Sequence, residues 1–139
     1  MEKTIIKKVI KYWLETSEND YQTMLWLSKG KRYSDALFFG HIILEKILKA
    51  LVVEQTNDQA PRIHNLTKLY ELAQINISKT EESFLDEVNK YNIRCRYPDQ
   101  KMTFYKMYND KNYASEELEK IKKLYLKLCQ EVKKKIKKY

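Results

Sequence analysis

Three ionisable residues, His41, Glu45 and Lys49, recur at intervals of four in an otherwise apolar segment. On a helix this spacing places them on one stripe. One interpretation is a polar groove wall in which Lys49 holds an anion and Glu45 orients it. The structural alternative is a Glu45–Lys49 surface ion pair worth about 0.3–0.5 kcal/mol, with His41 as an ordinary boundary residue.

A second candidate is His64, which follows Pro61 and Arg62 and directly precedes a predicted helix cap. Helix N-termini attract anions because their backbone N–H groups are unsatisfied. His64 is therefore a candidate phosphate donor or general acid. The alternative is a structural hydrogen bond at the cap.

The third candidate is the segment that carries Arg94, Arg96, Tyr97 and Asp99 around Pro98. The planar fork of arginine suits phosphate and carboxylate groups. The segment therefore predicts a phosphate contact. The alternative is that Arg94 or Arg96 pairs with Asp99 and holds the turn in place.

Other chemistry finds little support in the sequence. There is no glycine-rich phosphate loop, no nucleophile elbow and no HExxH pair. His41 and His64 are the two histidines of the chain and no His/Cys cluster surrounds either, so we predict neither a metal site nor a cofactor. Cys95 and Cys129 lack CxxC spacing, which favours a reduced pair and a cytoplasmic protein.

Composition favours helices. The 139 residues include 2 Gly and 2 Pro, too few for the turns of a many-stranded sheet. The longest apolar stretch, 36–53, contains charged residues, so no membrane span is predicted. Lys and Arg number 27 against 19 acidic residues. We interpret the lysine-rich tail as a solvated helix end, since no aromatic residues alternate with its lysines as a nucleic-acid platform requires.

Hydrophobic periodicity predicts the positions of the helices. The first spans residues 4–28 and ends at Lys29–Gly30–Lys31, and the second spans 34–54 with Ser34 as N-cap. Asn65 caps a short third helix. The fourth begins at a capping box of Ser78 and Glu81 and stops before Pro98, and the last begins at Ser115. We therefore predict an all-α fold, an antiparallel up-and-down bundle of about five helices in a single domain over residues 1–139.

Three sequence patterns occur in a specific order: E-K-x-x-K-A at 45–50, P-x-x-H-x-L at 61–66 and R-Y-P-D at 96–99. With them the chain resembles a HEPN domain (higher eukaryotes and prokaryotes nucleotide-binding). The resemblance implies a helical bundle that forms homodimers and is often encoded beside a minimal nucleotidyltransferase in toxin–antitoxin pairs. The domain is also similar to the helical domain of kanamycin nucleotidyltransferase.

Many HEPN domains are metal-independent ribonucleases with an Arg-x4–6-His motif. Here the positions that would hold the histidine, residues 99–101 after Arg94 and 101–103 after Arg96, contain none. The chain is closer to the R-Y-P-D branch, for which nucleotide or phosphate binding is proposed. Our leading interpretation is therefore a protein that binds a nucleotide without cleaving RNA.

On this interpretation the resemblance and the residue types assign roles to Glu45, Lys49, His64, Arg94, Arg96, Tyr97 and Asp99. Lys49 and the two arginines contact phosphate, and His64 donates a hydrogen bond to it. Tyr97 is a platform for base or ribose. Glu45 and Asp99 accept from hydroxyl groups or orient the arginines.

Two alternatives remain open: a ribonuclease toxin with a degenerate motif, in which His64 would be the acid or base, and a purely structural dimerisation module. The expected partners are a second copy of the chain, a nucleotide or other phosphorylated ligand, a minimal nucleotidyltransferase and, for the ribonuclease alternative, RNA. We expect no membrane. Trp13, Trp26 and Tyr125 are the predicted anchors of the dimer.

Overall fold

The computed structural model describes residues 1–96 and 110–139, and side chains as far as residue 91 and from residue 110 onward. The described residues contain helices and no strand. The helices are α1 (Lys3–Lys29), α2 (Tyr33–Thr56), α3 (Leu66–Ala73), α4 (Lys79–Arg96) and α5 (Lys111–Ile136). The predicted all-α bundle is confirmed. Among the described residues, no helix combines the length and apolarity that crossing a bilayer requires.

Helix α2 is the centre of the bundle, since it packs against each of the other four helices. Its apolar residues are buried on nearly every side, which explains why the sequence of this segment is apolar around most of the helix. Gly40 lets α5 approach closely, because a Cβ atom at this position would lie 2.5 Å from Cδ1 of Ile121. The polar residues of α2 are therefore exceptions within a packed core.

Two predicted helix caps are confirmed. The Ser78 N–H donates to Oε1 of Glu81 at 2.9 Å, and the Glu81 N–H donates to Oγ of Ser78 at 3.1 Å, which is the reciprocal pair of a capping box. Oδ1 of Asn65 accepts from the Lys68 N–H at 3.2 Å at the start of α3. The segment before α3, which carries His64, thus enters the helix through a fixed cap.

One predicted helix start and one predicted cap are wrong. Helix α5 begins at Lys111 and not at Ser115, because the Asp110 side chain accepts from the Tyr113 N–H at 2.9 Å and caps the helix earlier. Helix α2 begins at Tyr33, so Ser34 lies inside its first turn and is 1% exposed. Ser115 is not a cap because aspartate can cap a helix as serine does, and Ser34 is not a cap because α2 begins after Arg32 without a side-chain cap hydrogen bond.

The lysine-rich tail is not wholly a solvated end. Lys135 and Lys138 both pair with Glu54 of α2, a carboxylate that is only 7% exposed. Lys133 lies 3.5 Å from Glu18 of α1. The interpretation as a solvated end is therefore wrong for Lys135, whose side chain is 25% exposed, because a buried carboxylate requires charged partners. Lys138 pairs with the same carboxylate but stays 59% exposed.

Tyr125 joins α5 to α1 inside the bundle. It is 1% exposed, its hydroxyl lies 2.9 Å from Oγ of Ser17, and its ring stacks on Tyr21 at 5.1 Å. Because this side chain is buried in the core of one protomer, its predicted role as a dimer anchor is wrong. Trp26, in contrast, is 73% exposed.

Candidate functional site

Glu45 is the centre of a polar cluster between α2 and the segment before α3. Its Oε2 accepts from Nζ of Lys49 at 3.0 Å. Its two oxygens lie 3.0 and 3.1 Å from Nδ1 of His64. The predicted stripe on α2 therefore exists, but it does not form the surface ion pair of the structural alternative, because His41 is 2% and Lys49 6% exposed.

Hydrogen-bond partners fix which ring nitrogens carry protons. Nε2 of His41 lies 3.1 Å from the carbonyl oxygen of His64, and since a carbonyl can only accept, this Nε2 is the donor. The carboxylate of Glu45 likewise accepts from Nδ1 of His64. Neutral His64 therefore presents Nε2 as a base, and charged His64 presents the same nitrogen as a donor.

Two helices position the His64 segment. From α2, His41 donates to the His64 carbonyl. From α4, Oδ1 of Asn89 accepts from the Leu66 N–H at 2.7 Å, and Nδ2 of Asn89 donates to Oδ1 of Asn65 at 3.3 Å. Backbone and ring of His64 are thus both restrained, although its side chain is 58% exposed.

Lys49 is covered by an aromatic ring. Its Nζ lies 5.3 Å from the ring centroid of Trp13 in α1, a cation–π arrangement. Nε1 of this indole is buried and finds no hydrogen-bond partner among the residues that the structure describes. The side chain of Lys49 is 7% exposed, so its direct role in the structure is to hold and orient Glu45.

The structure brings together three of the predicted site residues: Glu45, Lys49 and His64. Arg94 and Arg96 lie in the last turn of α4, and their side chains are outside the described residues. Tyr97 and Asp99 also fall outside the described part of the chain. Within the described ranges, no group of three or more His, Cys, Asp and Glu side chains could hold a metal ion.

Sequence reasoning missed Asn89 and the hydrogen bond of His41 to the His64 backbone. Asn89 is one of two asparagines in the sequence of α4 and forms no motif with its neighbours. His41 belongs to the identified stripe, but its partner is a carbonyl group, which any residue at position 64 would supply. Neither contact has a signal in the sequence, because both depend on how the helices pack.

Comparison with protein families decides the classification. A family model of the HEPN domain matches residues 10–135. The chain belongs to the HEPN domain family. The matched range of this HEPN domain includes the cluster around Glu45 as well as Trp13 and Asn89. The family is of the nucleotide-binding and ribonuclease type. No curated protein and no solved structure matches the chain.

Proposed function

We propose that this HEPN domain binds a nucleotide or another phosphorylated ligand, with His64 as a hydrogen-bond donor to phosphate. The observation that carries the proposal is the anchoring of Nδ1 by both oxygens of Glu45, at 3.0 and 3.1 Å, on a side chain that is 58% exposed. One nitrogen is fixed and the other is available to a ligand. Such an oriented imidazole binds an anion without first losing much rotational freedom.

The charges of the cluster support an anionic ligand. Lys49 neutralises Glu45 at 3.0 Å, so this carboxylate does not repel an anion that binds to His64. Lys49 acts on phosphate indirectly, because it neutralises Glu45 and orients its carboxylate. In the full proposal Arg94 and Arg96 add phosphate contacts, Tyr97 supplies a platform for base or ribose, and Asp99 orients the arginines.

The binding is proposed to be non-catalytic. No histidine follows Arg94 or Arg96 at the spacing of the family ribonucleases, so these arginines lack their usual proton carrier. The second candidate function, a ribonuclease toxin, is favoured by one specific observation. Glu45 and His64 form a carboxylate–imidazole pair, the arrangement by which a histidine acid or base is oriented.

The proposed assembly is a homodimer that acts as the partner of a minimal nucleotidyltransferase in a toxin–antitoxin pair. Trp26, which is 73% exposed on α1, is the side chain that the proposal places at the association surface. A light-scattering mass of two protomers is the expected result. A mass of one protomer over a wide concentration range would exclude the homodimer, and co-purification with a co-expressed nucleotidyltransferase tests the second partner.

Calorimetric titration with adenosine, guanosine, cytidine and uridine phosphates tests the proposed ligand class. Wild-type protein should bind at least one nucleotide, and His64→Ala should weaken this binding by about 1.5–3 kcal/mol, the size of a charge-assisted hydrogen bond. Lys68→Ala, at an exposed position in the first turn of α3, is the control. Absence of binding across the panel would overturn the proposal.

An RNA cleavage assay in the presence of a chelator separates the two candidate functions. Intact RNA supports the non-catalytic protein. Cleavage that disappears in His64→Ala, with the melting temperature unchanged, would instead establish the ribonuclease and assign the proton transfer to His64. Cleavage that disappears in Arg94→Ala alone would place the chemistry at the end of α4.

A further inference from the structure

His64 combines an accessible ring nitrogen with a fixed protonation pattern. Its side chain is 58% exposed, and both oxygens of Glu45 accept from its Nδ1. In the neutral ring the proton therefore lies on Nδ1, and Nε2 carries a lone pair. Among the described residues, no side chain lies within hydrogen-bond distance of this Nε2. The lone pair is therefore available to an electrophile.

Glu45 is placed to assist a reaction at Nε2. When this nitrogen forms a bond, positive charge develops on the ring, and a carboxylate at Nδ1 stabilises that charge. The Glu45 side chain is 14% exposed, so water screens this interaction only in part. Lys49 orients the carboxylate from the other side, at 3.0 Å from Oε2. An activated nucleophile needs these three parts: the nucleophile, the group behind it and a third group that orients the second.

The other histidine of the chain lacks these properties. His41 is 2% exposed, and its Nε2 donates to the carbonyl oxygen of His64. This nitrogen therefore has no lone pair to offer, and the ring is closed to a reagent in solution. The Cys129 thiol is closed as well, since this residue is 5% exposed. His64 is thus the histidine at which a reagent in solution can react.

We infer that Nε2 of His64 is a phosphoryl acceptor and that its donor is a small acyl phosphate. The Nε2 lone pair forms a bond to phosphorus while the bond from phosphorus to the acyl oxygen breaks. The carboxylate product leaves with the electron pair of the broken bond. The ring then carries phosphate on Nε2 and a proton on Nδ1, and Glu45 balances its positive charge. Loss of the Nδ1 proton to solvent gives the neutral phosphohistidine ring.

The leaving group decides the class of donor. A phosphate monoester releases an alkoxide, which needs a proton from a general acid. No described acid lies within hydrogen-bond distance of Nε2, and the Nδ1 proton points to Glu45. An acyl phosphate releases a carboxylate, which is stable without a proton at neutral pH. Arg62, exposed two residues before His64, adds positive charge that attracts an anionic donor.

Phosphoryl transfer to His64 is distinct from the proposed nucleotide binding. Binding uses the ring as a hydrogen-bond donor, whereas phosphoryl transfer uses the neutral ring as a nucleophile. The transfer forms a covalent bond and needs no nucleotide. The inference therefore holds whether or not a nucleotide binds at this site.

Incubation of the whole chain with acetyl phosphate tests the inference. Intact mass spectrometry should show one added phosphoryl group per chain, which is lost in acid and retained in alkali as in a phosphohistidine. Phosphorus and nitrogen NMR should place this group on Nε2. The variant His64→Gln should take up none. Phosphate on Nδ1, or on a residue other than His64, would overturn the inference.

The rate of uptake tests the contribution of Glu45. Glu45→Gln should slow the reaction at least about tenfold, because no carboxylate then stabilises the charged ring. The matched control Glu71→Gln, which removes an exposed carboxylate of α3, should react as wild type does. Because Glu45→Gln leaves the buried Lys49 without its partner, the chain unfolded in concentrated urea is a second reference. There each histidine should react at least about tenfold more slowly than His64 of the folded protein.

Four results have a defined meaning for the inference. Equal rates for folded wild type, Glu45→Gln and the unfolded chain would overturn it, since His64 would then react as any exposed histidine does. Uptake from ATP but not from acetyl phosphate would overturn the donor class. No uptake by a protein that binds nucleotide in the titration would overturn the inference alone. Uptake by a protein that binds no nucleotide would support the inference and overturn the proposed function.

Discussion

The carboxylate of Glu45 meets the imidazole of His64 with Nδ1 3.0 Å from one oxygen and 3.1 Å from the other, across a sequence separation of 19 residues. Each oxygen can accept the hydrogen bond that Nδ1 donates, so both oxygens of the carboxylate, and not a single atom, hold the ring. Lys49, at 3.0 Å, fixes the carboxylate in turn. Lys49 therefore orients Glu45, and Glu45 in turn orients His64.

Replacement of Lys49 by methionine should destabilise the protein. The substitution keeps an apolar chain against Trp13 and removes the charge that balances Glu45, whose side chain is 14% exposed. We expect the free energy of unfolding to fall by about 1.5–3 kcal/mol. Urea denaturation measures this loss. Lys8→Met, at an exposed position, should change it by less than about 0.5 kcal/mol, and an equally small effect of Lys49→Met would contradict the buried pairing.

Asn89→Ala tests whether α4 positions His64. The variant leaves the buried Leu66 N–H without its 2.7 Å acceptor, so the free energy of unfolding should fall by about 1–3 kcal/mol. Because the cap of α3 loosens, Nδ1 of His64 should also lose its fixed proton, which nitrogen chemical shifts of the ring report. Asn112→Ala, at an exposed site in α5, is the control for both readouts. Unchanged ring shifts in Asn89→Ala would limit Asn89 to a role in stability.

Lys31→Gly should stabilise the protein. Lys31 has φ of 62°, in the left-handed region that favours glycine, while the neighbouring Gly30 has φ of −81°. We expect a gain of about 0.5–1 kcal/mol, the relief of left-handed strain reduced by the greater freedom of glycine in the unfolded chain. Thermal unfolding measures it. Gly30→Ala, whose Cβ would lie 3.5 Å from its nearest neighbour, should be tolerated. A Lys31→Gly variant that is less stable than Gly30→Ala would contradict this account.

That linker also indicates how far the sequence could predict the structure. Lys29–Gly30–Lys31 correctly predicts the end of α1, but the sequence does not show that Lys31, and not Gly30, takes the left-handed conformation. Local patterns of this kind locate elements because they depend on neighbours a few residues apart. They do not determine which of two adjacent residues takes the left-handed geometry.

The candidate site likewise has one part that the sequence predicts and one part that it does not. The four-residue spacing placed Glu45 and Lys49 on one face of α2, and the predicted cap at Asn65 placed His64 at the start of α3. The contact of His64 with Glu45, and the support of Asn89 from α4, required the packing of three helices. A charge pattern within one helix is visible in the sequence. A hydrogen bond between helices is visible only once the fold exists.

Alkaline pH should weaken the fold through the contact between α1 and α5. Burial is the main cause that raises the pKa of the Tyr125 phenol, and a hydrogen bond with Cys129 raises it further. Burial also raises the pKa of the Cys129 thiol, against a smaller lowering by Tyr125. Both groups therefore stay protonated in the folded protein at pH values where the unfolded chain ionises. This stabilisation is fully present below the unfolded pKa values, about 8.5 for cysteine and 10 for tyrosine.

As pH rises above these values, the free energy of unfolding should decline by up to about 1.4 kcal/mol per pH unit for each group, because the unfolded state then binds fewer protons. Urea denaturation between pH 8 and 11 measures the decline. Tyr125→Phe should be less stable than wild type at pH 8, having lost the hydrogen bond to Ser17, yet should decline less steeply above pH 10. Tyr12→Phe, at a residue that is 56% exposed, should retain the wild-type pH dependence. Parallel curves for wild type and Tyr125→Phe would show that the buried phenol does not contribute to alkaline unfolding.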